Sequence, residues 1–171
     1  GKTMSKFGDT FTKRVSTPIG TGFIYSAKQA IDFNSQIAAL GPLLTNGGKL
    51  TSQYRKQLDQ LAGSSKRWSK QYGVSTNDIN SGMGELIRKG YTAKQTLGAM
   101  PAILDATKAS GDSFNDVMHV STSVLEQFGL KTKSTAGTLK NTTRVTDTLT
   151  TIANRTSAGF KDMGERHCPA A

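Results

Sequence analysis

The residues best suited to covalent or acid–base chemistry are two histidines and one cysteine, and neither His119 nor the His167–Cys168 pair has the neighbours such chemistry needs. His119 lies between Met118 and Val120 in a helical pattern. Ser121, two positions on, points away from it on a helix, and Ser123, four on, is only a surface neighbour, so nothing completes a nucleophile–base arrangement. His167 and Cys168 stand close to the end of the sequence, where a dyad has no scaffold to hold it. One cysteine excludes an internal disulfide framework and a Cys-rich zinc module, and two histidines cannot supply a multi-His metal site. Asp78 and Asp116 read as first-turn helix charges rather than as a catalytic carboxylate pair. A phosphate-binding loop ending at Gly48–Lys49 would need glycine where Leu43 stands and Ser or Thr where Leu50 stands. Gly1-Lys2-Thr3 carries only the last letters of that motif, and Gly20-Thr21-Gly22 lacks the third glycine and the strand of a dinucleotide site. The sequence therefore assigns no catalytic, cofactor-binding or metal residues, and reads as a protein with no enzyme activity, no cofactor and no small-molecule substrate.

Charge offers more. Lys and Arg number 22 against 12 Asp and Glu, a net charge of +10. Residues 1–72 hold 11 of the basic residues and only Asp9, Asp32 and Asp59, while residues 73–171 are close to balanced. Lys13, Arg14, Arg55, Lys56, Lys66, Arg67 and Lys70 are the candidate anion or nucleic-acid contacts, with Tyr54, Trp68 and Tyr72 interleaved as stacking faces. The plainer reading is a solvated helix face whose aromatics pack inward. A membrane-surface role would use the same charges with Phe7, Phe11 and Phe23. The stretch from Val15 to Ala27 is shorter than the ~20 apolar residues of a membrane-spanning helix.

Leu, Ile, Val and Phe make up about a fifth of the chain, so any core is thin. Periodicity is helical nearly throughout. Met4, Phe7, Phe11 and Val15 form one short amphipathic helix before Pro18. A second is expected from Ile19 to about Leu40, its apolar face made of Phe23, Ala27, Ala30, Ile31, Ile37 and Ala38, broken by Gly41 and Pro42 and followed by a turn at Asn46-Gly47-Gly48. From Leu50 the seam Tyr54, Leu58, Leu61, Ser65, Trp68, Tyr72 alternates steps of four and three, with the basic residues mostly off it. Gly73 to Ser75 marks the expected boundary between a basic helical arm, 1–72, and a helical-hairpin region, 73–171.

In that second region, Ser75 or Thr76 caps a helix through Ile79, Met83, Leu86 and Ile87 that ends at Gly90. Thr92 caps the next, with Pro101 expected to restart a helical segment before Gly111 ends it. Ser113 caps a helix closed by Gly129, and a last one spans Thr135 to Arg155, where a threonine-rich stretch argues against strong helix formation. Ser75-Thr76-Asn77-Asp78-Ile79 is echoed 38 residues later by Ser113-Phe114-Asn115-Asp116-Val117, and faintly by Lys161-Asp162-Met163. Two explanations stay open: independent capping sequences, or helical hairpins stacked in a row. The fold class is all-α, with elongated N-terminal amphipathic helices followed by short hairpins in a small bundle.

The order of features resembles the N-terminal core region of phage tail tape-measure proteins, of the type found in long-tailed phages and prophages of Gram-positive bacteria. The residues carrying the resemblance are Phe7-Gly8-Asp9 through Val15-Ser16-Thr17-Pro18-Ile19, Ala30-Ile31-Asp32-Phe33, Ser75 to Tyr91 with its Gly90-Tyr91 pair, Leu97 to Leu104 around Pro101, Phe128-Gly129-Leu130, and Asn154, Ser157 and Asp162-Met163-Gly164-Glu165. Residues 41–72 form a longer spacer than the family pattern, and the sequence after Glu165 departs from it.

The resemblance implies a fragment or truncated form of a longer helical scaffold that sets tail length, since tube subunits stack around such a protein and residues convert to length at ~1.5 Å each. It also implies tail-tube proteins and tail-assembly chaperones as partners, self-association through helices, and location in the lumen of the virion tail tube, or in the host cytoplasm during assembly, with a part in DNA delivery. The alternative is a basic helical binding module for nucleic acid or anionic membrane surfaces. Far-ultraviolet circular dichroism checks the fold class: a helical spectrum is expected, and a strand-dominated one would overturn it.

Overall fold

A computed structural model describes residues 27–156 and 158–167 of the chain. These residues form seven helices, α1 (Ala27–Thr45), α2 (Ser52–Tyr72), α3 (Thr76–Arg88), α4 (Ala93–Ser110), α5 (Phe114–Gln127), α6 (Thr135–Arg155) and α7 (Phe160–His167), with no strand among them. The helix expected over Met4 to Val15, the start of the second at Ile19, Lys13, Arg14 and Cys168 lie outside the described residues.

The helices pack as hairpins in a row. Odd-numbered helices touch in the order α1, α3, α5, α7, even-numbered ones in the order α2, α4, α6, and each helix also touches its neighbours in sequence. One continuous set of buried apolar side chains runs through the stack from Phe33 and Ile37 on α1, through Leu58, Leu61 and Trp68 on α2, to Val117 on α5 and Phe160 on α7. The charge divide at Gly73 is therefore not a break in packing: Gly73 is the left-handed C-cap of α2, and the helices on both sides of it share this core.

Local chemistry punctuates the row. Ser75 Oγ accepts from the Asp78 amide at 3.0 Å and Ser113 Oγ from the Asp116 amide at 3.2 Å, so the two echoed sequences are equivalent N-caps. Their helices also end alike. Gly90 N–H donates to Ile87 and Tyr91 N–H to Leu86, while Gly129 N–H donates to Glu126 and Leu130 N–H to Leu125, the paired bonds of a Schellman turn with a left-handed glycine. Thr92 and Gln95 close a capping box at the start of α4. At α7, Asp162 accepts from Gly159 N–H at 3.1 Å and Asp112, in the turn between α4 and α5, accepts from Phe160 N–H at 3.1 Å. Apolar periodicity alone does not mark this last helix; its sign in the sequence is the faint echo at Asp162.

Three expectations need correction. The helix expected from Ile19 does not stop at Leu40: α1 runs through Gly41 and Pro42 to Thr45, because Leu43 and Leu44 pack against the core and the turn at Asn46 and Gly47 supplies the end. Its buried face is Phe33, Ile37 and Leu40, while Ala30 is exposed and Ile31 is 68% exposed. Pro101 does not restart a helix but lies within α4, where Met100, Ile103 and Leu104 are fully buried on either side of it; tertiary packing overrides the local break. The helix expected over Thr135–Arg155 forms as α6 despite its β-branched threonines. Thr142 and Thr146 donate to the carbonyls of Thr138 and Thr142, four residues back, at 2.8 and 3.1 Å, which lets these threonines be buried as if apolar.

Polar side chains tie the layers together. Ser65 donates to Asn80 Oδ1 at 2.6 Å and Asn80 Nδ2 to Gln36 Oε1 at 2.9 Å, joining α2, α3 and α1. Buried Gln95 donates to Thr132 O and to Thr138 Oγ1, each at 3.2 Å, which anchors the entry to α6 on α4.

The most extensive contact is between α4 and α6. Within it Gly98 faces Leu139: an added Cβ would fall 2.5 Å from Leu139 Cδ1 and 2.7 Å from its Cγ. Gly98→Ala is expected to cost about 1–3 kcal/mol of stability through this overlap. Gly63→Ala, in α2 with nothing within 4 Å of the new methyl, is expected to gain roughly 0.5–1 kcal/mol. Urea unfolding of both variants checks the packing; shifts of the same sign would contradict it.

Candidate functional site

The basic residues of α2 are the candidate site that the described residues contain. At 3.6 residues per turn, Arg55, Lys56, Lys66, Arg67 and Lys70 fall within about a third of the helix circumference, on the side opposite the buried seam. Arg55, Lys56, Arg67 and Lys70 are exposed and Lys66 is half-buried. None of the five forms an ion pair with a described residue; the ion pairs there join Lys89 to Glu85 and Glu126. Arg67 donates to Ser64 Oγ at 2.9 Å. Lys66 Nζ sits 4.8 Å from the centre of the Phe33 ring on α1, a cation–π contact, and burial pulls its ammonium below the ordinary lysine range.

The interleaved aromatics do not join this face. Trp68 is 8% exposed and belongs to the core, Tyr54 and Tyr72 are half-buried, and Tyr72 Oη donates to Asp105 Oδ1 on α4 at 2.8 Å. Burial first, then that hydrogen bond and the Asp105 charge, pushes the Tyr72 hydroxyl up. The seam and the stacking faces were the same residues, and the seam claimed them. Sequence reading also missed the partner beneath Lys66, because Phe33 lies on another helix and only the fold brings the two together.

Elsewhere the inventory is spare. His119 is exposed on α5. Among the described residues no group of three or more His, Cys, Asp or Glu side chains could hold a metal ion, and no helix is long and apolar enough to cross a membrane. A cleft of about 550 Å³ between α1 and the start of α3 is lined by Asp32, Phe33, Gln36, Ser75 and Asn77, of which Gln36 is one end of the polar bridge described above.

The Gly90–Tyr91 pair has a clear structural role. Tyr91 is 4% exposed, its ring lies 5.7 Å from Lys131 Nζ, and Lys131 also donates to Lys89 O at 2.7 Å, closing the C-terminal end of α3. Lys89 in turn pairs with Glu126 on α5 at 2.7 Å. Tyr91 Oη is buried without a hydrogen-bond partner among the described residues. Burial, with the nearby Glu126 charge second, holds its proton until about pH 12.

With this architecture in hand, comparison identifies the class. Residues 62–166 match the family described as phage-related minor tail protein, a stretch from within α2 to the end region of α7 that covers more than half of the chain. The chain belongs to this family, and is a structural component of the phage tail. No curated protein and no solved structure matches it.

Tyr91 makes a pH prediction. Its hydroxyl titrates near 10 when unfolded and at about 12 when folded, so its contribution is complete below pH 10 and is lost as pH rises through 12. Wild type should lose roughly 2 kcal/mol more than Tyr91→Phe across that window. Urea midpoints at pH 9 and pH 12 for both proteins test it, and parallel curves would contradict the assignment.

Proposed function

We propose that this chain is a minor tail protein of the tape-measure type, a non-enzymatic helical scaffold for tail-tube assembly and tail length. What supports the reading is that the family match lies on the stacked hairpins, where the tape-measure-like signature residues sit at structural turning points: Gly90 and Gly129 at helix ends, Asp162 at the cap of α7. In this reading the hairpins are an interaction module within a longer filament, and their partners are tail-tube subunits, assembly chaperones and other copies of the chain. Assembly takes place in the host cytoplasm and leaves the protein in the tube lumen, ahead of the DNA it helps to deliver. No step requires catalysis.

The test is genetic and structural together. In the phage that encodes the chain, residues 76–155 are deleted in frame and tails are measured by electron microscopy. Loss of tails, tails of irregular length, or shortening by about 120 Å at ~1.5 Å per residue each supports the scaffold role. Normal numbers of tails at unchanged length would overturn it.

A further inference from the structure

The outward face of α2 carries a feature that fold stability does not explain. A helix has the positive end of its dipole at the N-terminus, where acidic side chains stabilise and basic ones destabilise. The first turn of α2 has no acidic residue, Thr51 makes no side-chain capping bond there, and Arg55 and Lys56 stand at this end. Lys70 in the last turn suits the dipole; Arg55 and Lys56 oppose it. They are exposed and form no ion pair with a described residue, Asp59 one turn on included, so their charge adds little to the stability of the fold.

We propose that this face, through Arg55, Lys56, Lys66, Arg67 and Lys70, binds the phosphate backbone of duplex DNA without reading its sequence. The geometry selects among anionic partners. A membrane-surface helix needs apolar side chains beside its cations, and a single-stranded nucleic acid site needs aromatic faces for its bases. On α2 both are lacking on the basic side, because Trp68 and the tyrosines are turned to the core. What remains is a row of five cations in two groups, Arg55–Lys56 and Lys66–Arg67–Lys70, separated by about 15 Å along the helix axis, with the exposed Asp59 as the one carboxylate of α2 between them. That spacing bridges phosphates on the two sides of a B-form major groove about 12 Å wide. The arrangement supplies charge along the helix to neutralise backbone phosphates, the contacts that position a protein on a duplex without reading its sequence.

This inference does not rest on the length-setting reading and its test is separate. Binding of the full chain to a fluorescent duplex of about 20 base pairs is measured by anisotropy between about 50 and 200 mM salt, for wild type, Arg55→Glu/Lys56→Glu and Arg67→Gln/Lys70→Gln, with thermal unfolding alongside. Wild-type affinity should fall with salt at a logarithmic slope of roughly −0.9 per phosphate neutralised, and each double variant should flatten that slope by about 2 and weaken binding at low salt at least about tenfold. The new carboxylates of Arg55→Glu/Lys56→Glu suit the helix dipole and repel Asp59 one turn on, so this protein should melt close to wild type, and the charge-neutralising Arg67→Gln/Lys70→Gln pair supplies the second arm. Absence of binding at low salt, binding insensitive to salt, binding unchanged in both variants, or equal or tighter binding to vesicles of anionic phospholipid would each overturn the proposal.

Discussion

Seven helices share a core supplied by a chain in which large apolar residues are scarce, and that shortage shapes everything else. Where bulk is lacking, backbones come closer, and the α4–α6 contact shows how: Leu139 fills the space that Gly98 leaves open. Where carbon is lacking, hydroxyls that have satisfied themselves on their own helix take its place, as Thr142 and Thr146 do on α6. Buried amides then do what extra leucines would do in a richer core. Asn80 links three helices, and Gln95 fixes the start of α6. Such contacts depend on direction as well as area, so they favour one arrangement of the stack over its near alternatives.

Much of this order was legible in the amino-acid sequence, and the reasons are local. Caps at Ser75, Thr92 and Ser113, stops at Gly73, Gly111 and Gly129, and the limits of α6 at Thr135 and Arg155 depend on side chains within a few positions of the helix end. The seam of α2 was readable for the same reason, since Leu58, Leu61, Ser65 and Trp68 repeat at helical spacing and all are buried. What failed was whatever depends on a partner helix. Pro42 and Pro101 read as breaks because their effect on the ladder is local, while the packing that carries α1 and α4 past them is not. Ile31 read as core because apolar residues occur on two sides of α1, and only α2 and α3 decide which side is covered.

The candidate site followed the same division. Five cations on one side of α2 could be counted from spacing, but the fate of the aromatics could not, because the same positions served two readings. Packing resolved the ambiguity in favour of the core and left a face that is polar along its length. The family match begins within α2, so this face straddles the start of the family region while the hairpin beneath it is continuous with the rest of the stack.

Every substantial contact joins helices no more than two apart in the chain. Traction applied at one end would therefore strip off the outermost helix while the contacts of the far hairpins stayed intact, then the next, in a succession of small steps. A domain knitted by contacts between distant segments would instead hold until it ruptured as a whole. Such stepwise unravelling divides one high barrier into several low ones.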